Sequence, residues 1–382
     1  MQSGNSPVSE PDDLTPASSK PASEVTTPVV APAAAVKNKP RLAYLDWARG
    51  VASIIMIQGH VFHSFTDPQL RNSSTYQLSQ FIGGMPPAIF LFLTGVTFAF
   101  LLFSLDKKAL STGERVWQAL RRSGYLFVLA YLFRIQLFIT GQPGAQWGDL
   151  LKVDILNEMG LAAAVLSLLA IVPALDRIRL SAAIGLLIAV AGPLFSQFSF
   201  DGFPAFVRLY LKPDYAQFSF FPWAAFMAFG VTFGTIMRMI PPNKVERLLE
   251  WGALLGFGLV TSGRFFGDLD YSLYTKSEYW LDSPTLVFVK LGVVLLLLAV
   301  AFVWTEYGLH GRRSWVAIFG MHSLLVYWVH IELVYGQLFM KWKETLPLNS
   351  AALVAAVVIV LMGALALGKR HFLPNKAAAA SL

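Results

Sequence analysis

Residues 45–60 read LDWARGVASIIMIQGH, and the fold turns on how this stretch is taken. It is apolar enough to begin a membrane span, yet it carries Asp46, Arg49 and His60. An Arg or Asp at the centre of a spanning helix costs about 2.5–3.5 kcal/mol on insertion scales. Helical geometry gathers the three side chains. Arg49 and His60 are three turns apart with an offset of about 20°, and Asp46 lies one turn before Arg49 and about 60° from it. The polar groups form one stripe, about 16 Å long from Arg49 to His60. Such a stripe faces a bundle interior or a wet cavity, not lipid.

The rest of the chain agrees. Of 382 residues, 55% are hydrophobic and 14% are charged, with a mean hydropathy of +0.56. A soluble domain has roughly a quarter of its residues charged. The expected fold is therefore all-α, a polytopic integral-membrane helical bundle. Ten spans are expected, at 43–65, 81–104, 117–139, 154–174, 180–197, 218–238, 248–266, 284–304, 314–339 and 350–368. Residues 1–40, rich in Pro, Ser, Ala, Thr and Val, are expected to be a disordered cytoplasmic segment. They lack the basic start and apolar core of a signal peptide. The transmembrane domain is expected over 41–370, with a short cytoplasmic tail over 371–382.

The formal charge of +7 does not point to nucleic acid, because the basic residues sit between apolar runs. Eighteen Lys and Arg flank one side of the expected spans, among them Lys107, Arg121, Arg122 and Arg312, and eight flank the other. That bias places both termini in the cytoplasm, as an even number of spans requires. The expected location is a multi-pass membrane protein in the lipid bilayer, in the inner membrane if the chain is bacterial. Cysteine is absent, which excludes disulfides, thiolate zinc sites and a cysteine nucleophile. Nothing in the sequence speaks to oligomeric state.

With the N-terminus inside, Arg49 lies near the cytoplasmic end and His60 past the middle. Histidine takes and returns a proton near neutral pH. A cation below and a base above suit a long anionic cytoplasmic donor reacting with an acceptor presented from outside. The plainer alternative is an Asp46–Arg49 pair at i, i+3, with His60 hydrogen-bonded to a neighbouring helix.

LDWARG with the Arg49-x10-His60 spacing resembles the opening motif of membrane acyltransferases of the acyltransferase-3 type, and of bacterial relatives of heparan-α-glucosaminide N-acetyltransferase. FLFLTGVTF (90–98) is similar to their second-span element and ALRRSGYLF (119–127) to their basic entry to the third span. VDILNEMGL (153–161), FFPWAAFMAFG (220–230) and SLLVYWVHIELVYG (323–336) look like the glucosaminide-transferase branch. The resemblance implies transfer of an acyl group, usually acetyl, from cytoplasmic acyl-CoA (acetyl-CoA) as co-substrate to a carbohydrate acceptor at the outer face. It implies His60 as general base, or as a transient acyl carrier. Arg49, with Asp46 beside it, would position the donor or stabilise developing charge. The spacing follows the acyltransferase-3 pattern, since the lysosomal glucosaminide enzymes carry their catalytic histidine beyond this position. The competing function is a transporter or flippase using the stripe as a substrate or proton pathway, although no repeated halves are evident.

Other polar groups carry two readings each. Arg121 and Arg122, at the entry to the third span, bind CoA phosphates or anchor topology. Asp154, Asn157 and Glu158 bind acceptor hydroxyls at the start of the fourth span, or form an acidic N-cap and first turn. Asp154 is also a candidate to orient His60. Tyr327, His330 and Glu332 lie deep in the ninth span as candidate acceptor-binding or supporting residues. About 200° separates His330 from Glu332, so they serve different neighbours. Arg134 is placed to snorkel or to meet Asp154, and Lys290 reads as structural. Gly83-Gly84 and Pro86-Pro87 interrupt regular helix, as the wall of a cavity would. His60 and His63 have no evident third metal ligand, so no metal and no permanently bound cofactor are expected.

Overall fold

The stripe-bearing segment folds as helix α1, Ala43–Phe65, in a computed structural model that describes residues 42–140, 146–269, 273–309, 312 and 314–372. The segment expected over 1–40, His310 and the end of the tail lie outside the described residues. The helices that follow are α2 (Ser74–Gly83), α3 (Pro86–Asp106), α4 (Thr112–Thr140), α5 (Ile155–Leu166), α6 (Ala174–Gln197) and α7 (Ala205–Leu211). The order continues with α8 (Phe220–Met239), α9 (Val245–Gly267), α10 (Pro284–Val303), α11 (Trp315–Met321), α12 (Ser323–Tyr335) and α13 (Leu348–Phe372). Among the described residues there is no strand, only an isolated bridge between Thr66 and Leu346. The chain is an all-helical membrane protein.

The ten expected spans are not all met. Six helical stretches are long and apolar enough to cross a membrane: Ser74–Asp106, α4, α6, α8, Pro284–Gly308 and Leu348–His371. The pair α11 and α12, bent by 85°, makes a seventh if it counts as one span. The expected span at 154–174 is a shorter apolar stretch, Ile155–Ala170. Helix α1 has the length, but Asp46, Arg49, Gln58, His60 and His63 lower its hydropathy. It tolerates them because protein surrounds it: α2, α3, α10, α11, α12 and α13 all pack against it.

Local sequence explains the breaks. Gly84 closes α2, and Pro86 and Pro87 open α3, where missing N–H groups are harmless because first-turn donors have no helical acceptor. Asp154 caps α5, accepting from the backbone N–H of Leu156 and Asn157, while Asn157 Oδ1 accepts from the Asp154 N–H. At the bend His322 leaves helical geometry (φ −116°, ψ 21°). The bend lets α11 lie tightly along α1. A Cβ on Gly320 would fall 1.8 Å from the Asp46 carbonyl oxygen, so only glycine fits there.

A second fixed point ties α3 to α6. Arg177 is fully buried and makes paired bonds to Asp106, Nη1 to Oδ2 at 2.9 Å and Nη2 to Oδ1 at 3.0 Å. It also donates to the carbonyls of Leu169 and Val172. Its guanidinium is thus paired and hydrogen-bonded, the condition under which a buried charge is tolerated.

Candidate functional site

The polar stripe of α1 opens onto two cavities. The first, about 370 Å³, is lined by Arg49, Thr94, Thr97, Arg122 and Tyr125, with Gly320, Met321 and Ser323 from the bend. The second, about 410 Å³, is lined by His60, His63, Gln80, Trp223, Lys290 and Tyr335, and by Gly83, Gly84, Pro86 and Pro87 from the α2–α3 break. Phe90, Ile155 and Tyr327 belong to both linings. The cavities lie end to end along α1, Arg49 in one and His60 in the other, with those three side chains as the shared wall.

The imidazole of His60 is held from behind. Its Nδ1 lies 2.9 Å from Nε2 of His330, and Nδ1 of His330 lies 2.7 Å from the Val326 carbonyl oxygen. A carbonyl only accepts, so His330 donates from Nδ1 and, when neutral, presents a bare Nε2. His60 must then donate from Nδ1, which leaves its own Nε2 carrying the lone pair. The chain Val326 C=O, His330, His60 fixes one tautomer on a side chain that lines the second cavity. Histidines are poised this way when they act as bases. Close backbone approach supports the placement: Cβ atoms on Gly59 and Gly83 would each come within 2.8 Å of the other glycine's Cα, drawing α2 against α1 beside His60.

Arg49 Nη1 lies 3.5 Å from Asp46 Oδ1, and its Nη2 donates to the Leu93 carbonyl at 3.5 Å. Asp46 therefore steadies the guanidinium that Arg49 presents to the first cavity. Arg122 reaches the same cavity from α4, so two cations face one space. Arg121 is exposed and lines neither cavity. One residue of offset turns a helical side chain by about 100°, which separates the two arginines.

The acidic cluster is placed otherwise. Asp154 caps α5 and pairs with Arg134, Nε to Oδ2 at 3.4 Å, and does not orient His60. Asn157 completes the capping box and donates to the Tyr210 hydroxyl at 3.2 Å. Glu158 is fully buried, and among the described residues neither of its carboxylate oxygens has a hydrogen-bond partner; it lines neither cavity. Glu332 accepts from Gln136 Nε2 at 2.7 Å and from the Thr140 hydroxyl, and Gln136 in turn accepts from the Trp328 indole N–H. That network fastens α12 to α4, away from the cavities. Among the described residues no three His, Asp or Glu side chains form a metal-binding group.

Residues 41–274 match the family described as heparan-alpha-glucosaminide N-acetyltransferase, catalytic, over more than half of the 382 residues. The chain belongs to this family. No curated protein matches it. Membership makes it a membrane protein of an acetyltransferase family, and the matched range covers Arg49, His60, Arg122 and the α2–α3 break. His330 and Lys290 lie beyond the matched range and join the site through the fold.

Sequence reasoning missed the partnership of His330 with His60 and the position of Lys290. One pattern was available. Tyr327, Ile331 and Tyr335 recur every four residues along α12, and all three line the second cavity. That stripe places His330 at its edge.

Proposed function

We propose that this protein transfers an acetyl group from acetyl-CoA, bound in the first cavity, to the amine or hydroxyl of a carbohydrate acceptor in the second. The fixed tautomer of His60, with its lone-pair nitrogen on a cavity residue, carries this proposal. The acceptor heteroatom attacks the thioester carbonyl at the Phe90–Ile155–Tyr327 wall while His60 Nε2 takes its proton. The tetrahedral intermediate then breaks its C–S bond, and His60 returns the proton to the departing thiolate. Neither atoms nor electrons are left over, and no acyl-enzyme is required. Arg49 and Arg122 hold the anionic donor, for which guanidinium is well suited. The opening motif's resemblance to acyltransferase-3 enzymes supports the same base. We place the donor cavity on the cytoplasmic side, following the charge bias of the flanking segments.

The test uses purified full-length chain with radiolabelled acetyl-CoA and an amino sugar, comparing wild type with His60→Ala. CoA release and sugar labelling should fall together by about 10²-fold or more, the scale of a general base. Turnover that survives the substitution removes His60 from the chemistry. Sugar uptake into proteoliposomes without CoA release would instead make the protein a transporter.

A further inference from the structure

Lys290 has no part in the mechanism above, yet it faces the same space as His60. It stands on α10 and is only 9% exposed. Its Nζ lies 4.7 Å from the centre of the Trp223 ring. Among the described residues it makes no hydrogen bond and no ion pair. A cation over an indole recovers only part of what burying an ion costs. The remainder is what an arriving anion would offset.

The surroundings favour such a ligand. Lys290 is the one Lys, Arg, Asp or Glu among the described residues lining this cavity, so no carboxylate there repels an anion. A Cβ built on Gly84 would lie 3.9 Å from Nζ, so the bare glycine at the α2–α3 break leaves that side of the ammonium uncrowded. Phe218, Trp223, Tyr327 and Tyr335 supply flat apolar faces in the same lining. A charged head among aromatic walls matches a sugar ring that carries an acidic substituent.

We propose that Lys290 forms an anion-binding subsite, taking the carboxylate or phosphate of an acidic saccharide whose ring rests on the aromatic wall. Calling that saccharide the acceptor rests on the transfer reaction proposed above; binding it does not. Lys290 then sets which acceptors enter, while His60 acts on the group that reacts.

Equilibrium binding to the purified full-length chain tests this with three probes: methyl β-glucoside, methyl β-glucuronide and glucose 1-phosphate. At least one charged probe should bind tenfold or more tighter than the neutral glycoside, and the better of the two identifies the group recognised. Lys290→Met keeps the stem's bulk without the charge, so it should erase the advantage and leave neutral-sugar affinity unchanged. Lys290→Gln, polar but uncharged, should do the same, and Lys290→Arg should keep part of it. Equal affinity for charged and neutral probes in wild type overturns the subsite, as does an advantage that survives Lys290→Met or Lys290→Gln. Acetyl-CoA turnover measured on the same samples separates the two proposals. Anion preference without turnover upholds the subsite and defeats the transfer reaction; turnover without preference does the reverse.

Discussion

His330 holds His60 across 2.9 Å, and the Val326 carbonyl behind it decides which nitrogen of each ring carries the proton. With His60 as the proposed base, His330 would be a positioning residue, and its removal should act on rate more than on binding. His330→Ala should lower kcat by about 10²-fold, within the range of general-base effects, with the KM for acetyl-CoA nearly unchanged. The pH–rate profile should shift as His60 loses its fixed tautomer. An unaltered profile would make His330 merely structural.

The adjacent arginines of α4, Arg121 and Arg122, should separate. Both are exposed, but Arg122 lines the first cavity and Arg121 lines neither cavity. Arg122→Ala should raise the KM for acetyl-CoA by about tenfold, the scale of one charge-assisted hydrogen bond. Arg121→Ala should stay within about twofold, as expected for an exposed charge outside both cavities. Initial-rate kinetics at fixed ionic strength decide it, and equal effects would detach the first cavity from donor binding.

Glu332 should prove dispensable for chemistry. Its carboxylate is engaged by Gln136 and Thr140 on α4. Glu332→Gln keeps much of that bonding and should leave acceptor KM and kcat within about threefold, since substitutions away from the site act mainly on stability. A selective rise in acceptor KM would return Glu332 to the site.

Asp106→Ala strands the buried Arg177 guanidinium that it now pairs at 2.9 and 3.0 Å. Removing one partner of a buried pair costs about 3–5 kcal/mol. A clear drop in Tm in detergent is expected, with the specific activity of the folded fraction retained. The double variant Asp106→Ala with Arg177→Met should recover much of the loss, because no charge is then left buried alone.

Much of this architecture could be read from residue order. Helical arithmetic alone put Arg49 and His60 on one side of α1, since the 3.6-residue period is local. The Gly-Gly and Pro-Pro pairs around residue 85 announced a break for equally local reasons, and they do line the second cavity. Arg134 meets Asp154 as their adjacent helix ends allow.

What escaped was long-range. His60 and His330 are 270 residues apart, and no periodicity reports which turn of α12 faces which turn of α1. The 85° bend at His322 escaped because GMHS carries no proline and reads as continuous helix. Lys290 looked like a structural lysine because its indole partner and its cavity come from other helices. The expected ten spans are not confirmed by length and composition where apolar runs are short or polar residues are sheltered by protein, as in α5 and α1.

The wall of Phe90, Ile155 and Tyr327 has a consequence for the membrane itself. The proposed transfer between opposite sides would need an aqueous approach from each, and two such approaches meeting freely would short-circuit the ion gradients of the cell. In the reaction proposed above, three bulky side chains at the meeting point would let reacting atoms touch while denying water a continuous file. Trimming Tyr327 to alanine should therefore be felt first as proton leakage through proteoliposomes, a failure of insulation distinct from any failure of chemistry.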